Sequence, residues 1–267
     1  MLCYTPMLPL ISLAVASLVV SAQAKAEIPT LWLIGDSTVR NGSGTGEGQQ
    51  WGWGDCLSKL FDTAKVRVLN RAIGGRSSRT FLTDGRWDAI ITEMKAGDFV
   101  IMQFGHNDGG KVNDDSRARG TIRGIGDETE EIENMLTKKH ETVHTYGWYM
   151  SKYIKDAKEH SATPIVCSLI PRCPQPGTKL EANPEPTTYR LWAQQVATKE
   201  KALFIDLHLL IWREFAKMEP EQIKAKYYCS TDFTHTNLAG AEFNAAQVVL
   251  GIKALPDCPL SNFLTGK

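Results

Sequence analysis

The stretch that decides the fold is Leu31-Trp32-Leu33-Ile34-Gly35-Asp36-Ser37-Thr38-Val39. Its apolar beginning has the length and character of a short buried strand, and Gly35 marks the point where that strand turns. The turn delivers Ser37 into the following loop, where a serine hydroxyl can serve as a nucleophile. A Gly-Asp-Ser turn can also simply end a strand and cap a helix. The choice between these interpretations depends on residues far downstream.

Strand and helix patterns alternate along the rest of the chain. Apolar runs predict further strands at residues 66–70, 99–104, 165–170 and 202–206. Helical spacing of apolar residues predicts helices at 51–61, 87–94, 143–160, 188–201, 207–217 and 238–250. Continuous apolar strands that alternate with helices are typical of a parallel sheet covered on both faces. The sequence therefore predicts an α/β fold with five parallel strands.

Two long polar segments interrupt this alternation. Residues 108–142 are polar and contain several glycines, and residues 171–186 contain five prolines. Loops this long in a compact domain are commonly functional. The sequence leaves open whether residues 108–142 form a lid or a wall of a substrate site.

The composition and the N-terminus limit the classes of partner. Lys+Arg and Asp+Glu both number 30, and no basic stripe is present, so nucleic acid is not an expected partner. The apolar run at residues 8–20 is too short for a comfortable membrane span. Because small residues follow it, we expect a signal peptide over residues 1–24, with cleavage there or at 26. The mature chain, residues 27–267, is then a single domain that is secreted or periplasmic and has no membrane span.

Cysteines do not form a metal pattern. Cys3 leaves with the signal peptide, and five cysteines remain: Cys56, Cys167, Cys173, Cys229 and Cys258. Their spacing does not match a zinc site, so no metal is expected. One or two disulfides are expected in an oxidising compartment, and the odd number leaves at least one free thiol. The pairing and the oligomeric state stay open.

A carboxylate and an imidazole stand close together near the C-terminus. Asp232 and His235 are three residues apart, a spacing that lets the carboxylate reach the imidazole within one turn. A serine hydroxyl needs a base, and the base works best when a carboxylate orients it. We therefore predict Ser37 as nucleophile, His235 as base and Asp232 as its orienter. The alternative for the pair is a helix cap beside a surface histidine.

Acyl transfer also requires hydrogen-bond donors for the developing oxyanion. Ser37, Gly75 and Asn107 each follow a different predicted strand, at the edge where ligands gather in such sheets. The candidate donors are the backbone N–H groups of Ser37 and Gly75 and the side-chain amide of Asn107. Asn107 can alternatively stabilise its own loop as an Asx turn.

Four ordered segments together resemble the SGNH (GDSL-like) hydrolase superfamily. They are Gly35-Asp36-Ser37, Gly74-Gly75, Gly105-His106-Asn107-Asp108 and the spaced pair Asp232 and His235. The resemblance implies a three-layer α/β/α sandwich and a serine esterase that needs no cofactor. It also implies that Ser37, His235 and Asp232 are the nucleophile, the base and its orienter. The oxyanion donors that it implies are Ser37, Gly75 and Asn107.

Within that superfamily, the rhamnogalacturonan acetylesterases are the most similar branch. The segments Gly35-Asp36-Ser37-Thr38-Val39 and Gly75-Arg76-Ser77-Ser78-Arg79-Thr80-Phe81 carry this likeness, together with residues 121–128 and 143–149. The resemblance implies removal of acetyl groups from galacturonic acid residues of pectin, so the expected partner is an acetylated polysaccharide. Relatives with the same segments act on xylan, glucomannan or small esters, and these substrates stay open.

Three further residues are candidate substrate contacts. Arg76 and Arg79 can bind a uronic carboxylate, or they can pair with nearby acids. Trp87 can stack on a sugar ring, or it can fill the core, and the same choice applies to Trp51, Trp53, Tyr146 and Trp148. The rival functions are a lipid-directed esterase or lysophospholipase and an inactive carbohydrate-binding protein.

Overall fold

The computed structural model describes residues 1–3 and 27–266. Most of the predicted signal peptide, residues 1–24 with cleavage there or at 26, lies outside the described residues. In the part of the chain that the structure describes, no helix is long and apolar enough to cross a membrane.

Seven strands and eight α-helices make up the described chain. The strands are β1 (Thr30–Gly35), β2 (Arg67–Asn70), β3 (Phe99–Gln103), β4 (Thr129–Glu133), β5 (His140–His144), β6 (Thr163–Cys167) and β7 (Leu203–Ile205). The helices are α1 (Trp53–Leu57), α2 (Ser78–Thr83), α3 (Arg86–Ile91), α4 (Tyr146–Glu159), α5 (Thr188–Lys199), α6 (Leu207–Phe215), α7 (Pro220–Tyr227) and α8 (Leu238–Ala254).

Five strands form one parallel sheet in the order β2-β1-β3-β6-β7. The chain adds β2 on one side of β1 and every later strand of this sheet on the other side. Such a reversal opens a crevice at the carboxyl edge, next to the strand where it occurs. Because Ser37 directly follows β1, it lies at this crevice.

Two apolar cores cover the two faces of the sheet. Alternate residues of β1 point to opposite faces, so Leu31 packs with α1, α6, α7 and α8, whereas Trp32 packs with α2, α3, α4 and α5. Both side chains are fully buried. The predicted three-layer α/β/α sandwich with five parallel strands is confirmed.

Residues 108–142 form a wall that is tied to the sandwich. β4 and β5 within this segment pair as an antiparallel hairpin. Arg79 of α2 binds Glu141 of β5 through two hydrogen bonds of 2.7 Å. The same guanidinium donates to the carbonyls of Val112 and Gly120, at 2.7 and 2.9 Å. Because one buried side chain holds both halves of the segment, the segment is a wall rather than a free lid.

Several predicted boundaries are wrong for local reasons. The predicted helix 143–160 begins only at Tyr146, because residues 143 and 144 belong to β5. The hairpin was missed because β4, Thr-Glu-Glu-Ile-Glu, buries only Ile132 and shows no apolar run. Helix α7 was also missed, although Pro220 at its first position and a capping box between Glu219 and Gln222 are start signals.

The expected disulfides are absent among the described residues. Cys56, Cys167, Cys173, Cys229 and Cys258 are all free and buried. Burial raises the pKa of the Cys56 thiol to about 11, so this thiol is protonated and unreactive at neutral pH. These five cysteines therefore act as small core side chains in this structure.

Candidate active site

Ser37 is held in a turn that only glycine can precede. A Cβ on Gly35 would lie 2.5 Å from Val39 Cγ2 and 2.6 Å from the Gln103 carbonyl, so no larger residue fits there. Asp36 then accepts hydrogen bonds from the Thr38 N–H at 2.8 Å and from the Thr38 hydroxyl at 2.7 Å. This Asx turn leaves Ser37 only 8% exposed and at the surface of the crevice.

A buried network supports this turn from below. The Gln103 amide at the end of β3 donates to the Thr38 hydroxyl at 2.6 Å, and its carbonyl accepts from Trp53 Nε1 at 2.9 Å. All three side chains are essentially inaccessible to solvent. A buried network whose groups are all paired restricts movement, so the backbone at Ser37 is preorganised.

The structure brings the predicted catalytic residues together across 198 residues of sequence. His235 Nε2 lies 2.9 Å from Ser37 Oγ, and His235 Nδ1 lies 2.9 Å from Asp232 Oδ2. With the proton on Nδ1, the ring donates to Asp232 and its Nε2 accepts the Ser37 hydroxyl proton. The arrangement can therefore deprotonate Ser37 while a carboxylate holds the base in the required tautomer.

Asp232 is kept ionised by its surroundings. Burial raises the pKa of Asp232, but hydrogen bonds from the His235 N–H, the His235 ring and the Thr234 N–H outweigh it, so the net pKa is lowered. Both backbone donors lie 2.7 Å from Oδ1. An ionised carboxylate stabilises the imidazolium that forms when His235 accepts a proton.

Gln50 and Trp51 bind the loop that carries Asp232 and His235. Trp51 N donates to the Thr236 carbonyl, and the Thr236 hydroxyl donates back to the Trp51 carbonyl, both at 2.9 Å. Gln50 Nε2 donates to Asp232 Oδ2 at 3.2 Å, and Gln50 Oε1 accepts from Asn41 Nδ2 at 3.0 Å. Sequence reasoning missed Gln50, because its partner lies 182 residues away and no local pattern marks the contact.

Lys224 holds the same loop from the opposite side. Its ammonium group donates to the carbonyls of Cys229 and Asp232 and lies 4.4 Å from the centre of the Phe233 ring. A charged donor on two loop carbonyls reduces the freedom of the residues between them. Lys224 was also missed, since its position in α7 lay outside every predicted element.

Two of the predicted oxyanion donors are backbone N–H groups that are free to bind a ligand. Among the described residues, neither the Ser37 N–H nor the Gly75 N–H donates a hydrogen bond. Gly75 has a φ of +79°, a conformation that favours glycine, and its carbonyl accepts from Arg119 Nη1 at 3.0 Å. Gly74 packs beside Ser37, since a Cβ on Gly74 would lie 3.6 Å from Ser37 Cβ. The structure thus brings this glycine turn to the serine.

Asn107 lies next to these groups, as the sequence predicts. Its side chain is 8% exposed, and one amide hydrogen donates to the Arg76 carbonyl at 2.8 Å. An amide has a second hydrogen, which can serve a ligand. The bond to Arg76 fixes the orientation of the amide without using its whole donor capacity.

Two of the predicted substrate contacts are wrong. Arg79 is fully buried in its ion pair with Glu141, so it cannot touch a substrate. Trp87 is also fully buried, and its Nε1 donates to Asp156 at 2.8 Å. Arg76 lies at the surface of the crevice, where it pairs with Asp84 at 2.7 Å, and its role as a substrate contact stays a prediction.

Two cavities adjoin the predicted oxyanion donors Gly75 and Asn107. The first, of about 660 Å³, is lined by Gly75, Arg76 and the wall formed by residues 108–142. The second, of about 740 Å³, opens beside Asn107 towards β6, and we call it the β6-side cavity. Arg119 lines both cavities, and no local sequence pattern marks its position there.

Comparison with protein families gives one match that covers most of the chain. The model described as "GDSL-like Lipase/Acylhydrolase family" matches residues 33–243. This range contains Ser37, Gly75, Asn107, Asp232 and His235.

Two curated proteins are similar over nearly their full length. A rhamnogalacturonan acetylesterase of Emericella nidulans is 32% identical, with 86% of each chain covered. A probable rhamnogalacturonan acetylesterase of Bacillus subtilis is 31% identical, with 84% of this chain and 93% of the relative covered.

Solved structures share the fold. Protein YXIM of Bacillus subtilis aligns with a TM-score of 0.67 at 26% identity, and 85% of this chain spans 56% of that protein. A variant of an acetyl xylan esterase from Geobacillus stearothermophilus aligns with a TM-score of 0.52 at 17% identity, covering 84% of this chain and 94% of that one. At 17% identity the second likeness concerns the fold alone.

Proposed function

The chain belongs to the GDSL-like lipase/acylhydrolase family, and on that premise we propose that it is a secreted serine esterase that removes acetyl groups from acetylated rhamnogalacturonan. One observation carries the proposal: the continuous hydrogen-bonded series Asp232, His235 and Ser37, with 2.9 Å at each link. That geometry suits nucleophilic acyl transfer, in which a base must lie within hydrogen-bond reach of the nucleophile.

The proposed reaction proceeds through an acyl-enzyme. His235 Nε2 takes the proton of Ser37 as its oxygen attacks the acetyl carbonyl carbon, and Asp232 stabilises the imidazolium. The carbonyl oxygen becomes an oxyanion that accepts hydrogen bonds from the Ser37 and Gly75 N–H groups and the Asn107 amide. When the tetrahedral intermediate collapses, His235 gives its proton to the leaving sugar oxygen. Water then attacks the acetyl-serine while His235 takes one of its protons. The bond between the acetyl carbon and Ser37 Oγ breaks, His235 returns the proton to Ser37 Oγ, and acetic acid leaves and ionises to acetate.

The substrate class is supported by the relatives and by the surface around Ser37. Both curated relatives are named as rhamnogalacturonan acetylesterases, one of them as probable. Arg76, Arg117 and Arg119 line the first cavity, whereas a lipid-directed esterase needs an apolar groove for an acyl chain. A charged, polar surface fits an acidic polysaccharide better than a lipid.

Export is part of the proposal. An acetylated polysaccharide is too large to be taken up intact, so an enzyme that acts on it works outside the cytoplasm. The N-terminal pattern of residues 1–24 supports this location. N-terminal sequencing of the protein recovered from the periplasm or medium tests it: a mature chain that starts near residue 25 or 27 is expected.

A substrate panel tests the proposed function. Acetate release is measured from acetylated rhamnogalacturonan, acetylated xylan, p-nitrophenyl acetate and a lysophospholipid, with wild type and Ser37→Ala. We expect the highest kcat/KM on acetylated rhamnogalacturonan and loss of release from every ester in the variant. A preference for the lysophospholipid would contradict the substrate class. Undiminished release by Ser37→Ala would contradict the mechanism.

A further inference from the structure

The β6-side cavity has the size and position of a binding site for part of the substrate. Its volume is about 740 Å³, within the range of small-ligand sites, and Asn107 at its edge connects it to the oxyanion donors. Tyr189 and Trp212 line it, and the Trp212 ring stacks on His208 at a centroid distance of 5.7 Å. Aromatic faces of this kind can pack against a sugar ring.

Three arginines at this cavity have no acidic partner. Within residues 27–266, no carboxylate oxygen lies within 4.0 Å of the guanidinium of Arg119, Arg123 or Arg172. Their other contacts are neutral: the Gly75 carbonyl, the Trp192 ring at 5.5 Å and the Thr234 hydroxyl. By contrast, Arg79 and Arg190 each bind a carboxylate through two nitrogens. Glu185 is the one carboxylate among the lining residues, so the three arginines outnumber it and leave a net positive charge that favours an anionic ligand.

The N-terminus of α5 adds a second, independent attraction for an anion. Thr187, Thr188 and Tyr189 line the cavity, and the Thr187 side chain makes no capping hydrogen bond to this 12-residue helix. Among the described residues, the backbone N–H groups of Thr188, Tyr189 and Arg190 donate no hydrogen bond. Free N–H groups and the positive end of the helix dipole at one place form a common binding site for carboxylates and phosphates.

We propose that the β6-side cavity binds the carboxylate of a galacturonic acid residue in the polymer that carries the acetyl group. The carboxylate accepts hydrogen bonds from the α5 N-terminus and from Arg123 and Arg172, while Tyr189 and Trp212 pack against the ring. This inference rests on the proposed function, and it adds a location for the acidic sugar that distinguishes the substrate from neutral acetylated glycans.

Direct binding tests the site without any requirement for turnover. Isothermal titration calorimetry is performed on the Ser37→Ala protein with an unacetylated oligogalacturonate, and a neutral xylo-oligosaccharide of equal length serves as comparison. We expect the acidic oligosaccharide to bind more tightly and its Kd to rise with added NaCl, because salt screens exposed charges. Equal affinities for the acidic and the neutral ligand would overturn the proposal.

Arginine variants locate the anion. In the same Ser37→Ala background, Arg123→Met and Arg172→Met are each expected to raise the Kd for oligogalacturonate about tenfold, the usual effect of losing one charge-assisted hydrogen bond. Arg67→Met is the matched control, since Arg67 is exposed on β2, lines neither cavity and makes no ion pair among the described residues. Arg117→Met alters the first cavity and tests that alternative location for the anion. A raised Kd in Arg117→Met alone would place the anion in the first cavity and overturn the proposal. If the wild-type protein hydrolyses none of the esters in the substrate panel, the proposed function is refuted, whatever these Kd values are.

Discussion

Replacing Glu141 by glutamine should destabilise the protein, because it leaves the Arg79 guanidinium buried without its counter-charge. The Arg79 side chain is 0% exposed and the Glu141 side chain 15% exposed, so water cannot replace the lost carboxylate. Two hydrogen bonds of 2.7 Å join the pair, and Asn134 donates a third to the same carboxylate at 2.7 Å. Hydrogen bonds to a buried charged group are strong, so their loss lowers the free energy of unfolding substantially.

The magnitude follows from the burial of the pair. Breaking a buried ion pair by removing one partner costs about 3–5 kcal/mol. For a chain of this size, 1 kcal/mol corresponds to about 2–4 °C in Tm, so the midpoint should fall by about 6–20 °C. The change in denaturant midpoint should occur without a change in m-value, because the fold stays the same.

Thermal and urea unfolding of Glu141→Gln, followed by circular dichroism, measure this effect. Glu130→Gln is the matched control: Glu130 lies on β4 of the same hairpin, is exposed and makes no ion pair among the described residues. The control should stay within about 0.5 kcal/mol of wild type. A loss below about 1 kcal/mol in Glu141→Gln would refute the view that this ion pair holds the wall formed by residues 108–142.

Two further predictions concern the support of the catalytic loop and the buried carboxyl of Asp108, which accepts a hydrogen bond from the Ser78 N–H of α2. Gln50→Ala should lower kcat on p-nitrophenyl acetate about tenfold, because it removes a hydrogen bond to the Asp232 carboxylate. The control Gln49→Ala should keep the kcat of the wild type. Equal kcat values in the two variants would contradict a role for Gln50 in positioning Asp232. Burial raises the pKa of Asp108 to about 7, so its folded form favours the proton. Its contribution to the free energy of unfolding is then complete below the unfolded pKa of about 3.9 and is lost as pH rises through about 7. The free energy of unfolding of Asp108→Asn, measured between pH 4 and 8, should not show the decline that Asp108 causes in the wild type. Parallel pH profiles of this free energy in the variant and the wild type would contradict the prediction.

Local sequence patterns predicted the sheet well, and they named catalytic candidates that the structure brings together. The strand that ends at Gly35 and the strand before Gly105 are parallel, so the residues that follow them lie at the same edge of the sheet, whatever the conformation of the loops. Ser37 and Asn107 could be assigned for this reason. Asp232 and His235 could be paired because their spacing of three residues permits contact within one turn.

The errors concern features that depend on tertiary contacts. Arg79 and Trp87 have residue types that bind sugars, but burial against Glu141 and Asp156 decides their roles, and burial at these positions leaves no local pattern. Gln50 acts through a partner 182 residues away. The free cysteines likewise depend on which thiols the fold brings together, which spacing alone does not reveal.

The most direct test of the central claim is to locate the acetyl group during turnover. The enzyme is mixed briefly with an excess of p-nitrophenyl acetate, quenched with acid, digested and analysed by tandem mass spectrometry. We expect one acetyl group on the peptide that contains Ser37, attached to the Ser37 oxygen and absent in Ser37→Ala. Acetyl on another side chain that turns over at the catalytic rate, or acetate release without acetylation of Ser37, would contradict it.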